Sequence, residues 1–291
     1  DEELSTRLQR YHQVLCIVNT RAHAQHLYDA LSKQGGCYHL SARMCPAHRR
    51  EQLQEIKRLL KTGAECRVVS TQLIEAGVDI DFPIVYRAIA GLDSVAQAAG
   101  RCNREGRAER GEVYIFRSTE RYGQATSWQK LTAEVGRMVM DTYDDPLSLA
   151  AVESYFQKLY SYKGDDGLDL KGILSLFEKK PQKCKFPFED VGWAFSIIEQ
   201  GTKDLIVPYG EDGRALIDDL RTSRSPWKYA RRLQGYTINI YPNEFRELER
   251  AGKIDCFGDK FYVLNDIGKY SEETGLMNEK GYIGEGSLLI V

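Results

Sequence analysis

The sequence predicts an α/β protein in which a doubly wound parallel sheet is followed by a helical linker and a small α+β domain. Three observations predict this class. Short apolar runs alternate with amphipathic helical patterns up to about residue 120, helical patterns alone follow, and short strand-like pieces dominate the end of the chain. The 291 residues fit two domains, since a domain averages about 150 residues. We expect a first domain at 1–120, a linker at 121–184 and an accessory C-terminal domain at 185–291.

Five strands are predicted in the first domain. The run Val14–Val18 is apolar at every position, as expected for a strand that is buried on both faces. The predicted strands are Val14–Val18, Tyr38–Leu40, Arg67–Ser70, Ile84–Arg87 and Val113–Phe116. Amphipathic stretches between them predict one helix ending near Ser32, one from Pro46 to about Leu60, and one from Ser94 to about Asn103. Strands that alternate with helices indicate parallel pairing through crossover connections.

The remainder of the chain has a different pattern. Two or three helices are predicted between 124 and 178, and Lys179–Lys183 is a plausible hinge. The strands predicted beyond it are Ala194–Ile198, Leu205–Val207, Thr237–Tyr241 and Phe261–Leu264. Helices are predicted near Gly213–Leu220 and Pro242–Ala251.

Composition and charge exclude several classes of function. The chain has 40 Lys and Arg residues against 42 Asp and Glu residues, so it is not a globally basic nucleic-acid binder, although a local basic groove stays open. Its apolar stretches are only a few residues long, which predicts no membrane span and no membrane partner. Seven cysteines without a CxxC pair favour a reducing, cytoplasmic location. The chain begins with Asp1 rather than Met, so we expect a cut or internal start.

Polar side chains follow the ends of several predicted strands. Asn19 and Thr20 follow the first strand, and Ser41 and Arg43 follow the second. Ligands bind beyond the carboxyl ends of the strands in an open parallel sheet, so we expect these side chains at a binding edge. The alternative is that loops simply collect such residues.

A third strand end carries the longer segment Ser70–Asp81. The hydroxyl groups of Ser70 and Thr71, together with free backbone N–H groups, suit a phosphate. Gly77 permits a positive φ or a close approach to the backbone, and Asp79 can accept a hydrogen bond from a ribose hydroxyl. A turn with a solvated acid is the alternative interpretation.

Gln97, Arg101 and Arg104 are spaced i, i+4 and i+7, which on a helix places them on one face. Gly100 costs about 1 kcal/mol of helix propensity, so we expect it to admit a close neighbour. Such a face suits a polyphosphate, because an arginine finger is worth ~10³ to 10⁵ in phosphoryl-transfer rate. The alternative is a solvated basic helix in which nearby glutamates pair with the arginines.

Taken together, these segments resemble the C-terminal motifs of superfamily 2 helicases. The resemblance assigns motif VI to Gln97–Arg104, motif V to Ser70–Asp79, motif IV to Val14–Thr20, and the motif after it to His39–Arg43. The wording STQLIEAGVDIDFPIVYRAIAGLDSVAQAAGRCNREG (Ser70–Gly106) is similar to the CRISPR-associated helicase–nucleases of type I systems, most of all to their I-C branch. Further similar segments are IVPYG (Ile206–Gly210), ARRLQGYTINIY (Ala230–Tyr241) and FYVLND (Phe261–Asp266), so the resemblance covers nearly the whole chain.

The resemblance implies the second RecA-like domain of an ATP-dependent single-stranded DNA translocase or helicase in CRISPR interference, the antiviral degradation of invading DNA. It implies that Arg101 and Arg104 are arginine fingers, that Gln97 orders the γ-phosphate or the attacking water, and that Gly77 and Asp79 line the ATP cleft. The residues implied to contact the DNA backbone are Asn19, Thr20, Ser41, Arg43, Ser70 and Thr71. The implied partners are single-stranded DNA, preceding RecA-like and HD nuclease domains, a Cascade-type surveillance complex and an anti-CRISPR inhibitor.

The sequence lacks the ATP-binding and nuclease motifs of a complete helicase of this family. It has no Gly-x-x-x-x-Gly-Lys-Ser/Thr loop, no Asp-Glu-x-His/Asp box and no His-Asp dipeptide. The resemblance therefore implies that ATP and Mg²⁺ are bound mainly by the preceding half, and we predict that this chain alone neither hydrolyses ATP nor cuts DNA. Two alternatives stay open: half of another superfamily 2 DNA helicase, and a non-catalytic docking module for a targeting complex or an inhibitor.

A basic and aromatic stretch lies in the predicted C-terminal domain, at Arg221–Arg232. Cations interleaved with aromatic rings suit a single nucleic-acid strand, through phosphate contacts and base stacking. The alternative is that Trp227 and Tyr229 are core anchors and the arginines are solvated.

No metal site is predicted. Cys37, His39, Cys45 and His48 match no familiar zinc spacing, and the first two fall in or beside a strand whose residues alternate faces. Gly281–Gly286 is glycine-rich but follows no strand and precedes no helix, so a turn is expected there.

Overall fold

A five-stranded, all-parallel sheet of order β2-β3-β1-β4-β5 is the main feature of the computed structural model, which describes residues 1–120, 122, 126–178, 186–195 and 201–277. Its strands are β1 (Gln13–Ile17), β2 (Cys37–Leu40), β3 (Cys66–Ser70), β4 (Ile84–Ala88) and β5 (Glu112–Phe116). The predicted α/β class and its five strands are confirmed.

Helices cover both faces of this sheet. They are α1 (Glu2–Gln9), α2 (Arg21–Leu31), α3 (Pro46–Thr62) and α4 (Leu92–Ala99). Along the first strand, Val14 and Cys16 pack with α1 and α2, whereas Leu15 and Ile17 pack on the opposite face with α3 and α4. The strand is apolar throughout because water reaches neither face.

The end of α4 differs from the prediction. A helix reaching Asn103 is wrong, since α4 ends at Ala99. Beyond Gly100 the backbone pairs instead with Phe82: the Phe82 N–H donates to the carbonyl of Arg101, and the Asn103 N–H donates to the carbonyl of Phe82, both at 2.9 Å. These long-range hydrogen bonds compete with the next helical turn and end the helix.

Helices continue the chain beyond the sheet. They are α5 (Ser127–Met140), α6 (Leu149–Leu168), α7 (Ile173–Glu178) and α8 (Phe188–Ala194), with the backbone of α6 leaving helical geometry at Gly164. Val135 of α5 and Tyr155 of α6 pack against Val95 of α4, which fixes this helical pair to the sheet domain. None of the helices in the described ranges has both the length and the apolar character that a membrane span requires. The predicted hinge Lys179–Lys183 lies outside the described residues, as does the Gly281–Gly286 turn.

A second sheet of order β7-β6-β9-β8 follows, with β6 and β9 parallel and its other pairs antiparallel. The strands, including a short hairpin, are β6 (Lys203–Ile206), β7 (Thr237–Ile240), β8 (Ile254–Phe257), β9 (Phe261–Leu264), β10 (Tyr270–Ser271) and β11 (Gly275–Leu276). The helices are α9 (Gly210–Thr222), α10 (Ala230–Leu233) and α11 (Pro242–Arg250). The predicted strand at Ala194–Ile198 is wrong at its first residue, which ends α8, and 196–198 lie outside the described residues.

The second sheet packs on the loop that follows β2 and on the start of α3. Cys45 is buried in the same core as Leu205 and Ile240. The Cys45 N–H donates to the Tyr270 hydroxyl at 2.9 Å, and the Tyr209 hydroxyl donates to Glu51 Oε2 at 2.6 Å. The C-terminal region is thus built against one strand end of the parallel sheet.

Candidate nucleotide and nucleic-acid interface

Asn19 joins three loops at the carboxyl edge of the parallel sheet. Its Nδ2 donates to the carbonyl of Ile89 at 2.8 Å, and its Oδ1 accepts from Arg87 Nη1 at 2.6 Å. Its own carbonyl accepts from Gln72 Nε2 at 3.1 Å. Because these bonds connect the ends of β1, β3 and β4, Asn19 holds the edge in shape and does not present a free amide.

A buried ion pair lies beneath this edge. Glu75 Oε1 lies 2.6 Å from Arg87 Nε, and the two side chains are 5% and 1% exposed. Burial raises the pKa of Glu75 and lowers the pKa of Arg87, and their mutual attraction opposes both shifts. Sequence reasoning missed both residues, although an arginine inside an apolar strand and an acid in the preceding polar segment were the signals available.

Arg101 fastens the loop after β3. Its Nε donates to the carbonyl of Ile74 at 3.1 Å and its Nη2 donates to the carbonyl of Glu75 at 2.5 Å. The residue is only 9% exposed, and burial lowers the pKa of its guanidinium group. Because α4 ends before it, Arg101 shares no helical face with Gln97 or Arg104, and that part of the sequence prediction is wrong.

Arg104, unlike Arg101, faces solvent at this edge. Its side chain is 44% exposed, and its Nε lies 3.4 Å from Oδ1 of Asp79, which is itself 78% exposed. The backbone N–H of Arg104 donates to Asp81 Oδ1 at 2.7 Å, which sets the direction in which the side chain leaves the loop. Gly77 has a φ of +70°, in the left-handed region, and Gln97 is exposed on α4. At this edge the accessible guanidinium group of Arg104 therefore lies beside the accessible carboxylate of Asp79.

The hydroxyl residues predicted to contact DNA are mostly buried. Ser41, Ser70 and Thr71 are each less than a tenth exposed, and the Ser70 hydroxyl donates to the carbonyl of Leu40 at 3.0 Å. Thr20 is half-buried and caps the N-terminus of α2 with its hydroxyl. These side chains shape the loops at the strand ends, and a DNA contact by them stays a prediction.

Arg43 connects the sheet domain to the C-terminal region. Its side chain is 8% exposed, its Nη2 lies 2.7 Å from Glu244 Oε1, and its Nε donates to the carbonyl of Leu276. Gly275 has a φ of +82°, and a β-carbon there would collide with the carbonyl of Arg43. In this conformation Arg43 is held by the C-terminal region, and its predicted DNA contact also stays a prediction.

Another residue that the sequence did not indicate is Tyr155 of α6. Its hydroxyl donates to Asp93 Oδ1 at 2.9 Å, at the first turn of α4. A helix of the predicted linker therefore reaches the same edge of the sheet as the candidate site.

No convergent metal ligands occur among the Cys and His residues between 37 and 48. Within the described ranges, ligand atoms from three or more His, Cys, Asp or Glu side chains come together only at Asp1, His26 and Glu120. Exposed acidic groups commonly meet in this way without an ion.

The parallel sheet, the helices on both of its faces and the polar edge beyond its strands define a RecA-like α/β domain. Residues 10–107, which span this sheet from β1 to α4 and its edge, match the family model described as CRISPR-associated nuclease/helicase Cas3, C-terminal. The chain is thus similar to a C-terminal part of Cas3, while the I-C branch stays a prediction.

Two Cas3 nuclease/helicases are similar in sequence. The relative from Methanothermobacter thermautotrophicus is 29% identical over 169 residues, which cover 55% of this chain and 20% of the relative. The relative from Haloferax volcanii is 46% identical over 65 residues, which cover 22% of this chain and 7% of the relative. The matched part thus spans a fifth or less of these relatives.

Solved structures of T. fusca Cas3 share the fold. The structure with ADP has a TM-score of 0.57 at 16% identity, covering 95% of this chain and 40% of that one. The structure with ATP has a TM-score of 0.54 at 16% identity, covering 90% of this chain and 36% of that one. At this identity the likeness is one of fold alone.

Proposed function

We propose that this chain is the C-terminal motor half of a Cas3-type, ATP-dependent single-stranded DNA translocase or helicase that acts in CRISPR interference. The similarity over residues 10–107 supports this proposal, because it covers the sheet edge that carries the candidate site. The single observation that carries the proposal is the exposed guanidinium group of Arg104 at that edge.

Arg104 is suited to be an arginine finger because its ion pair with Asp79 is weak. The Asp79–Arg104 ion pair is 3.4 Å long and both side chains are well exposed. Such pairs contribute about 0–1 kcal/mol, so a polyphosphate can replace Asp79 at small cost. We propose that Asp79 then turns to the ribose side of the cleft.

Arg101 has a different part in the proposal. Its two hydrogen bonds to the carbonyls of Ile74 and Glu75 hold the loop that carries Asp79. We propose that Arg101 acts first by fixing this loop. To contact a γ-phosphate it must give up at least one of these bonds during closure of the two motor domains.

The remaining components lie outside this chain in our proposal. ATP and Mg²⁺ are bound mainly by a preceding RecA-like domain, since this sequence lacks the P-loop and the acidic box. The T. fusca Cas3 structures with ATP, AMPPNP and ADP support nucleotide binding by such an assembly. Single-stranded DNA lies along the carboxyl edge of the sheet. The other partners of this chain, in the cytoplasm, are the preceding nuclease domain and a CRISPR surveillance complex.

The test is a single-strand-stimulated ATPase measurement on the full-length protein that contains this chain. Arg104→Ala is expected to lower kcat by about 10³-fold. Arg107→Ala is the matched control, because Arg107 is another exposed arginine of the same loop and pairs with Glu105. A loss of less than tenfold in Arg104→Ala, or an equal loss in both variants, contradicts the finger assignment. The 291-residue chain by itself is expected to show no ATP turnover.

The same measurement separates the proposal from the docking-module alternative. A docking module tolerates Arg104→Ala as long as its partner still binds. A motor loses single-strand-stimulated ATP turnover in that variant even when the partner is bound.

A further inference from the structure

The surface between α9 and β7 carries positive charge that carboxylates do not balance. Residues 221–232 include no acid and five cations: Arg221, Arg224, Lys228, Arg231 and Arg232. Arg221 pairs with Asp218 at 3.1 Å and with Asp255 at 3.6 Å. The other four are mostly exposed, and in the described part of the chain none of them makes a salt bridge. Their positive potential is therefore directed to solvent.

The two aromatic residues of this stretch have different roles. Tyr229 packs against the core formed by Leu233 and Val263, so it is an anchor. Trp227 is 56% exposed, and its ring meets the ring of Phe261 at a centroid distance of 5.1 Å. The alternative in which both rings are core anchors is thus wrong for Trp227. Its indole is packed in part against Phe261, and more than half of the residue is accessible to solvent.

A further cation lies beside Trp227. The Lys260 ammonium is 5.4 Å from the Trp227 ring centroid. Positive charge next to this ring thus comes from the turn between β8 and β9 as well as from residues 221–232.

We propose that Trp227 with Arg224, Lys228, Arg231 and Arg232, which we name the Trp227 surface, binds single-stranded nucleic acid. The cations contact successive phosphates, and one unpaired base stacks on the solvent-accessible part of the indole. A duplex leaves no base face free for this stacking, so the surface prefers a single strand. The proposal goes beyond the motor function because it requires neither ATP nor a preceding domain.

The test measures the affinity of the 291-residue chain for a fluorescein-labelled 12-nucleotide deoxythymidine strand by anisotropy, without nucleotide, between 50 and 200 mM salt. Trp227→Ala is expected to weaken binding roughly 5- to 150-fold, the range for one lost base–aromatic stack. Trp227→Tyr is expected to retain most of the affinity, because a phenol ring also stacks. Arg224→Ala, Arg231→Ala and Arg232→Ala combined are expected to reduce the slope of log K against log salt by about 2.

The double variant Lys33→Ala/Lys61→Ala is the matched control. Both lysines are exposed and lie near the C-terminal ends of α2 and α3, away from the carboxyl ends of the strands. This pair is expected to change the affinity less than twofold. Thermal unfolding of each variant verifies the fold, and Trp227→Ala is expected to be stable because the ring is half exposed.

Three results overturn the proposal. One is absence of binding by the wild-type chain at 50 mM salt. Another is unchanged affinity in both Trp227→Ala and the triple arginine variant, which places the strand elsewhere. The third is that an acidic polypeptide binds as tightly as the DNA strand and that Trp227→Ala changes neither affinity. The surface would then be a general polyanion site. None of them bears on the ATPase test of Arg104, so the two proposals fail independently.

Discussion

Glu75 and Arg87 form an ion pair in the interior of the sheet domain, with 2.6 Å between Oε1 and Nε. The pair links the loop after β3 to β4, and Arg87 extends the link to Asn19 at the end of β1. Three strand ends are thereby fixed by two charges that water does not reach. The geometry of the candidate site depends on these charges, although neither is positioned to touch a ligand.

Removing one member of this pair is expected to destabilise the fold strongly. Arg87→Met leaves the Glu75 carboxylate buried without its counter-charge, which costs about 3–5 kcal/mol of the free energy of unfolding. Urea unfolding measures the loss. Arg58→Ala is the control, since Arg58 pairs with Glu55 on the surface, and it is expected to cost at most about 1 kcal/mol. Similar losses in the two variants contradict the interior role of the pair.

Arg101 and Arg104 are expected to differ in stability as well as in activity. Arg101→Ala leaves the carbonyls of Ile74 and Glu75 without their donors, which costs about 2–4 kcal/mol. Arg104→Ala removes an exposed pair and is expected to change the free energy of unfolding by about 0.5 kcal/mol or less. Thermal or urea unfolding of both variants verifies this. If Arg104→Ala is the more destabilising variant, Arg104 rather than Arg101 holds the loop, and the assignment of their roles is wrong.

The sequence predicts the strands of the parallel sheet well, but not how the polar edge beyond them is held. Apolar runs such as Val14–Val18 determine their own structure locally, because both faces of the strand must be covered. The end of α4 depends on backbone pairing with Phe82, which no local pattern encodes. The partner of Arg43 lies 201 positions away at Glu244. Contacts of this range follow from tertiary packing alone.

The link between Arg43 and α11 is expected to hold the loop after β2. Glu244→Ala removes the counter-charge of an arginine that is 8% exposed, so we expect a loss of about 2–4 kcal/mol and faster amide exchange in residues 41–45. Glu247→Ala is the control on the same helix, because Glu247 is exposed. Hydrogen exchange that stays unchanged at residues 41–45 in Glu244→Ala contradicts the link.

Gly275 is expected to tolerate no side chain. Gly275→Ala meets both a left-handed φ and the backbone of Arg43, which together cost roughly 2–4 kcal/mol. Gly252→Ala separates the two effects, because Gly252 has a φ of +67° but open space around it, and about 1 kcal/mol is expected there. Equal costs in urea unfolding show that the close approach at Gly275 is absent in solution.

The stability of the protein is expected to fall in mild acid, and His39 contributes to this together with His23 and His48, because burial lowers the pKa of each to about 4. His39 is 1% exposed, and burial, with the positive charge of Arg43, lowers its pKa to about 4. The unfolded chain, with a His pKa near ~6.5, binds more protons than the folded chain between these values, so the free energy of unfolding falls as pH decreases through this range. The contribution of His39 is at most roughly 3 kcal/mol. Urea unfolding at pH 4.5 and 7 measures it.

Two variants identify the source of this acid sensitivity. His39→Leu is expected to reduce the difference in stability between pH 7 and pH 4.5, since it removes the group that must be protonated. His12→Leu, at an exposed position, is expected to leave the difference unchanged. Full acid sensitivity in His39→Leu assigns the effect to other groups.

The contact between Arg43 and Leu276 also has a consequence for protein synthesis. The two residues are 233 positions apart, so a ribosome adding ~5–20 residues per second needs roughly 10–50 s to pass from one to the other. During that time the parallel sheet can form, but the loop after β2 has neither Glu244 nor Leu276 to hold its arginine. The edge that we assign to DNA thus acquires its final form only when the last described strand has left the ribosome, so a nascent chain cannot present a finished binding edge ahead of its C-terminal region.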